Sequence, residues 1–169
     1  RRTIACRDAV HGDMTGCMST IFPLPEPMLR ALACARAAGE ADEVPIGAVV
    51  TRGGVVIATG ENRNRRDNDP TAHAEIVAIR AAALALGDSR LTGCDLWVTL
   101  EPCAMCAGAI SHARIDRLYY AAADPKGGGV THGARVFAQP QCLHRPEIYD
   151  GMGEAESAAL LRGFFTGRR

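Results

Sequence analysis

The sequence predicts an α/β sandwich, a mixed sheet with helices on both faces. Three observations carry that expectation. Short apolar runs of strand length alternate with longer segments of helical period, in the order α-β-β-α-β-α-β-β-α. Glycine and proline stand at the ends of those segments, at Pro25, Gly39, Gly87 and Pro102. With 169 residues, 47% of them hydrophobic and 22% charged, the chain has the size and composition of one compact domain with an ordinary core.

The elements follow in order. Pro25 and Pro27 precede Met28, Leu29, Leu32 and Ala33, and the helical period up to Gly39 predicts a first helix over 27–38. Pro45 to Thr51 is a short apolar strand, Arg52-Gly53-Gly54 a hairpin turn, and Val55 to Thr59 the returning strand. Glu61 to Asn68 is polar and reads as a loop. Asp69-Pro70 opens a helix that runs to Leu86 and stops at Gly87, with proline at an early helical position. Asp95 to Leu100 is a third strand, Pro102 opens a helix to Ala113, and Ile115 to Ala121 is a fourth strand. Asp124 to Gly133 is a glycine-rich loop, Glu147 to Tyr149 a short further strand, and Glu154 to Phe165 a last amphipathic helix.

Charge and cysteine usage narrow the function classes. Lys+Arg and Asp+Glu are both 19, which excludes a uniformly basic nucleic-acid coat and leaves room for a local basic patch. Lys126 is the only lysine. Seven cysteines, two of them in a C-x-x-C, fit a reduced compartment and a metal site better than a disulfide framework. Arg7, Asp8, His11 and Asp13 break up any apolar signal-peptide core, and no run approaches the ~18 apolar residues of a membrane span. A cytoplasmic protein without membrane contact is expected. Residues 1–17 show neither helical nor strand period; they read as a disordered or mis-assigned extension and receive no function.

The strongest chemical signal is His73-Ala74-Glu75 followed by Pro102-Cys103-Ala104-Met105-Cys106. Zinc prefers N and S donors in tetrahedral geometry, and a catalytic site uses three protein ligands and leaves the fourth position to water. His73, Cys103 and Cys106 supply three. Both groups fall at predicted helix starts, where the dipole favours thiolates, and the spacing of three puts both sulfurs on one face of the turn. Glu75 lies two residues from His73, off the ligand face but within reach of a bound water whose pKa zinc lowers towards ~7; it can carry that proton to a substrate nitrogen and to a leaving ammonia. The pattern H-x-E…P-C-x-x-C is the zinc deaminase signature. A purely structural site would want a fourth protein donor, for which His112, His132, His144, Cys94 and Cys142 are available, and would have no use for Glu75. Cys6, Cys17, Cys34, Cys94 and Cys142 otherwise read as small apolar residues.

From Pro27 onward the chain resembles the bacterial tRNA-specific adenosine deaminases of the zinc-dependent cytidine deaminase superfamily. The resemblance rests on Val44-Pro45-Ile46-Gly47-Ala48-Val49, Asn62-Arg63, Asp69-Pro70-Thr71-Ala72-His73-Ala74-Glu75-Ile76, the run Trp97 to Ile110 and Ala113-Arg114-Ile115. It implies a three-layer α/β/α sandwich with a mixed five-stranded, cytidine deaminase-like sheet, formed by residues 18–169 as a single domain. It also implies a homodimer, one Zn2+ per subunit, no organic cofactor, and hydrolysis of adenosine to inosine at the wobble position of a tRNA anticodon loop. His73, Cys103 and Cys106 match the zinc ligands, Glu75 the proton shuttle, and Asn62 the asparagine that hydrogen-bonds the target purine. Asp124 and Lys126 resemble the loop that grips flanking nucleotides, with Gly127-Gly128-Gly129 departing from the common pattern. Phe164-Phe165 with Arg168-Arg169 resembles the tail that packs on the anticodon loop.

On residues alone the bland readings stay open. Asn62 is also an ordinary turn asparagine, Asp124 and Lys126 a solvated turn, and Phe164 or Phe165 helix core. Arg63, Arg65, Arg66, Lys126, Arg168 and Arg169 are either a basic mouth or scattered solvated charges. Ala107, Ala109 and Ala113 around Gly108 form a small-residue face that suits a dimer or internal packing. Two rival functions remain: a free-nucleobase deaminase acting on guanine or cytosine with the same zinc half, and a zinc-stabilised RNA-binding module, against which Glu75 argues.

Overall fold

The computed structural model describes residues 23–167. The expectations placed on residues 1–17 and on Arg168 and Arg169 lie outside the described residues.

Five strands form one mixed sheet in the order β2-β1-β3-β4-β5. They are β1 (Gly47–Arg52), β2 (Val55–Glu61), β3 (Cys94–Leu100), β4 (Arg117–Ala122) and β5 (Glu147–Asp150). Strand β1 pairs antiparallel with both β2 and β3, while β3–β4 and β4–β5 are parallel. The helices are α1 (Glu26–Glu40), a one-turn α2 (Asn64–Asp67), α3 (Ala74–Leu86), α4 (Ala104–Ala113) and α5 (Glu154–Thr166). Among the described residues none is long and apolar enough to cross a membrane.

The strand period sorts the core into two layers. Ala48, Val50, Leu96, Val98, Leu118 and Tyr120 point to the face covered by Ala74, Ala78 and Ala82 of α3 and Ala107 and Ile110 of α4. Val49 and Trp97 point to the other face, under Met28, Ala31 and Leu32 of α1. Helix α5 crosses that second face: the Ser157 hydroxyl donates to the Thr99 carbonyl, and Phe164 lies by Gly39 and Pro45.

Strands β2 and β3 both run antiparallel to β1, so their carboxyl ends share one edge of the sheet. Helices α3 and α4 follow those strands, so both helix N-termini come to that edge, where ligands bind in open α/β sheets.

Local differences from the sequence expectation cluster at the same edge. Neither helix starts at its proline. Pro70 sits in a turn closed by Asp69, whose Oδ1 accepts from the Thr71 N–H and hydroxyl, each at 2.7 Å. His73 and Cys103 are the N-caps, and α3 and α4 begin one residue after them. The expected loop 61–68 contains the α2 turn because buried Glu43 accepts the Arg65 and Arg66 N–H groups, each at 2.9 Å, satisfying a helix start from 22 and 23 residues away. The fourth strand begins at Arg117 instead of Ile115, which is fully buried just ahead of it.

Candidate metal centre and active site

The N-cap of each helix is a candidate ligand, and neither makes a side-chain cap hydrogen bond. Each helix start is therefore held from outside. For α3 the holder is Asn62, 5% exposed, whose Oδ1 accepts the Ala74 N–H at 2.9 Å. Gly60 lets α3 approach: a Cβ there would stand 2.3 Å from the Ala74 carbonyl and 2.6 Å from the Ala78 nitrogen. For α4 the glycine-rich loop lies against the Pro102-Cys103 turn, with the Gly129 N–H donating to the Pro102 carbonyl at 2.8 Å.

These two starts bring His73, Cys103 and Cys106 together, with their donor atoms within 4.8 Å of one another. The His73 Nδ1 lies 3.7 Å from the Cys103 Sγ and 3.5 Å from the Cys106 Sγ. Tetrahedral coordination with Zn–S near 2.3 Å and Zn–N near 2.0–2.1 Å requires an N–S separation of about 3.6 Å. Both N–S separations, through Nδ1 of the histidine, fit zinc. Cys106 is buried, while His73 and Cys103 are half-buried, so the seat opens to one side.

Among the described residues the group has no fourth protein donor. The residues that could have supplied one are engaged elsewhere or distant from it. His132 is bound to Glu101 at 2.7 Å, the His144 Nε2 donates to the Ile115 carbonyl at 2.7 Å, and the Cys142 thiol donates to the His144 carbonyl at 3.0 Å. Cys94 is buried at the start of β3, and His112 is exposed on α4.

The electrostatics couple the same groups. The hydrogen bond from Cys106, together with His73, holds Cys103 down at about 4, as a thiolate. That negative sulfur and burial push the Cys106 thiol far up. His73 is raised by its hydrogen bond to Cys103. Burial pushes Glu75 up against the pull of the helix N-terminal backbone and His73. Glu75 is 4% exposed and touches the donor set without belonging to it.

The outer residues behave differently. Asp124 folds its own loop: its Oδ1 accepts the Lys126 and Gly127 N–H groups at 3.1 and 2.9 Å. Lys126 is exposed. The described arginines of the candidate mouth are matched within the chain: Arg63 to Asp67, Arg65 to Asp42 and Arg66 to Glu61, at 2.8, 2.6 and 2.7 Å. Phe164 is half-buried and packs edge-on against Phe165, 5.4 Å between centroids; Phe165 is 54% exposed. Ala107 and Ala113 are buried in their own core, while Gly108 and Ala109 are half-buried.

Sequence reasoning missed Glu101 and Gly60. Glu101 is 2% exposed, and its carboxylate accepts the N–H groups of Asp124, Val130, Thr131 and His132 at 2.9–3.2 Å. Burial opposes its ionisation, but these donors and the His132 ring outweigh burial and hold it down at about 2.

Comparison with known proteins agrees with this geometry. The MafB19-like deaminase family profile matches residues 26–169. The tRNA-specific adenosine deaminase of Agrobacterium fabrum (strain C58) is 62% identical over 139 residues, 82% of this chain and 91% of that protein. The chain belongs to the tRNA-specific adenosine deaminase family. A solved tRNA:A34 deaminase, described as editing A to I at the wobble position, superposes on this deaminase with a TM-score of 0.79 at 61% identity, over 80% of this chain and 98% of that one. The guanine deaminase of Nitrosomonas europaea shares the fold at a TM-score of 0.72 with 26% identity, over 83% of each chain.

Proposed function

We propose that this chain hydrolyses adenosine to inosine at the wobble position of a tRNA anticodon, with one zinc ion per subunit held by His73, Cys103 and Cys106. The observation that carries the reading is the donor triad at zinc spacing with buried Glu75 beside it, in a chain 62% identical to a tRNA-specific adenosine deaminase. Zinc in that seat supplies Lewis-acid activation of a water.

The chain's own residues do the rest. Glu75 takes a proton from the attacking water and delivers it to the purine ring nitrogen next to C6. The water oxygen bonds to C6; Glu75 then takes the proton of that new hydroxyl and delivers it to the amino group, which leaves as ammonia as the C6–N bond breaks and the C6 oxygen becomes the carbonyl of inosine. Burial, which raises its affinity for a proton, suits a group that must both accept and donate. Asn62 has its Oδ1 engaged by Ala74, so it presents its NH2 end to an acceptor nitrogen of the purine. An anticodon loop already splays its bases, which suits a seat at the sheet edge that opens to one side.

Lys126, Phe164, Phe165 and Arg168 are assigned to the RNA, with Asp124 acting through the turn it folds. The protein is assigned to the cytoplasm as a homodimer; a methyl added at Gly108 on α4 meets nothing within 4 Å, which leaves room for a partner to approach closely.

The test is incubation of the zinc-loaded protein with an anticodon stem-loop and, separately, with free guanine and cytosine. Inosine by mass spectrometry with little ammonia from the free bases is expected. Faster turnover of guanine than of the stem-loop would move the assignment to a free-base deaminase, the activity named for the Nitrosomonas protein.

A further inference from the structure

We propose that Glu101 is a positioning residue for the metal seat: it clamps the glycine-rich loop onto the cysteine turn, and the fit of that loop sets how firmly the thiolates hold their metal. The inference rests on the metal centre at His73, Cys103 and Cys106.

Glu101 lies two residues before Cys103 and touches none of the three donors. Its Oε1 accepts three successive N–H groups, Val130, Thr131 and His132, at 3.2, 2.9 and 2.9 Å. Its Oε2 takes the Asp124 N–H at 3.0 Å and meets the His132 Nδ1 at 2.7 Å. Both ends of the loop 124–132 are thus tied to one buried carboxylate, a backbone nest closed around an internal anion. The middle of the loop has a single place to go. Gly128 bridges to Cys103, and the Gly129 N–H donates to the Pro102 carbonyl at 2.8 Å. No side chain fits between: a Cβ on Gly129 would stand 2.5 Å from the Ala104 nitrogen and 2.7 Å from the Cys103 carbonyl carbon, and one on Gly128 would stand 2.6 Å from Glu101 itself. Cys103, lacking a side-chain cap, relies on this backbone contact to fix the turn that aims its sulfur. Residues that orient metal ligands in this indirect way typically change metal affinity by about 10–100-fold when altered.

Two variants attack the clamp from opposite sides. Glu101→Gln keeps the shape and replaces an acceptor oxygen by an NH2 group that faces N–H donors. Gly129→Ala leaves the carboxylate intact and pushes the loop off the turn. The full-length proteins are loaded with zinc and transferred to excess chelator, and release is followed with a zinc-sensitive dye; cobalt-substituted samples give the thiolate charge-transfer spectrum. Thr51→Val, which removes the acceptor of the Trp97 indole N–H at 3.1 Å on the opposite face, controls for general destabilisation.

The expected result is zinc release about 10–100-fold faster in both variants, with shifted cobalt bands. In the double variant the effects add to less than their sum, because both act through one contact. Thr51→Val lowers the unfolding temperature and leaves release and spectrum unchanged. Wild-type release in Gly129→Ala, or equal acceleration in Thr51→Val, overturns the clamp. A wild-type protein that takes up no zinc overturns the metal centre itself.

Discussion

The candidate metal pocket and the rim proposed to face the RNA are built on different plans. In the pocket both helix starts are held from outside: Ala74 by Asn62, the Cys103 turn by the glycine loop, and that loop by Glu101. At the rim Lys126 and Phe165 are exposed, and arginines are paired within the chain, as in Arg63–Asp67 and Arg65–Asp42. Bond breaking requires atoms fixed to within a fraction of an ångström, whereas a flexible RNA loop is held by stacking and phosphate contacts that tolerate movement. A pocket change should therefore act on the chemical step, and a rim change on substrate affinity.

The largest expected effect comes from removing a ligand. Cys106→Ala should hold no zinc by elemental analysis, form no inosine and unfold at lower temperature, since metal binding is linked to folding. A zinc-replete, active Cys106→Ala protein would erase the distinction between pocket and rim.

Asn62→Ala sits at the boundary. It leaves the buried Ala74 N–H without its acceptor, a loss of about 1–3 kcal/mol visible in denaturant unfolding. It also removes the donor proposed for the purine, so kcat/KM should fall by more than about tenfold. A variant of wild-type stability would mean that α3 is not held by this bond.

Deleting residues 164–169 should leave zinc content and kcat intact and raise KM for the stem-loop about tenfold, the lower part of the ~1–3 kcal/mol that a stacked base contributes. The salt dependence of KM should weaken in parallel as phosphate contacts are lost. A fall in kcat instead would place the tail in the pocket's plan. The smallest effect is expected from Arg63→Ala, because its guanidinium is matched to Asp67: kcat/KM on the stem-loop should stay within about twofold of wild type. A larger loss would restore Arg63 to a basic mouth.

The same contrast governs what could be read from the sequence. The five strands and the helix order were legible from local period, and the triad from the two short motifs H-x-E and P-C-x-x-C taken together. The helix starts were misplaced by a few residues because Pro70 and Pro102 look like first-turn prolines, whereas His73 and Cys103 occupy the caps that a serine or aspartate would normally mark. The α2 turn was not legible, since its cap, Glu43, lies 22 residues upstream. Glu101 stands in the run Trp97 to Ile110 with no visible role of its own; its partners lie 23–31 residues downstream, and only folding brings them to it. The arginines were ambiguous for the same reason, since Asp42 is 23 residues from Arg65.

The central claim is that Glu75 moves the proton beside a zinc held by the other three side chains. Glu75→Ala tests it most directly, with zinc content and inosine formation measured on the same preparation. One zinc per chain is expected, as in wild type, with a kcat on the anticodon stem-loop reduced about 100- to 10,000-fold. A zinc-replete Glu75→Ala protein that forms inosine at near wild-type rate would contradict it.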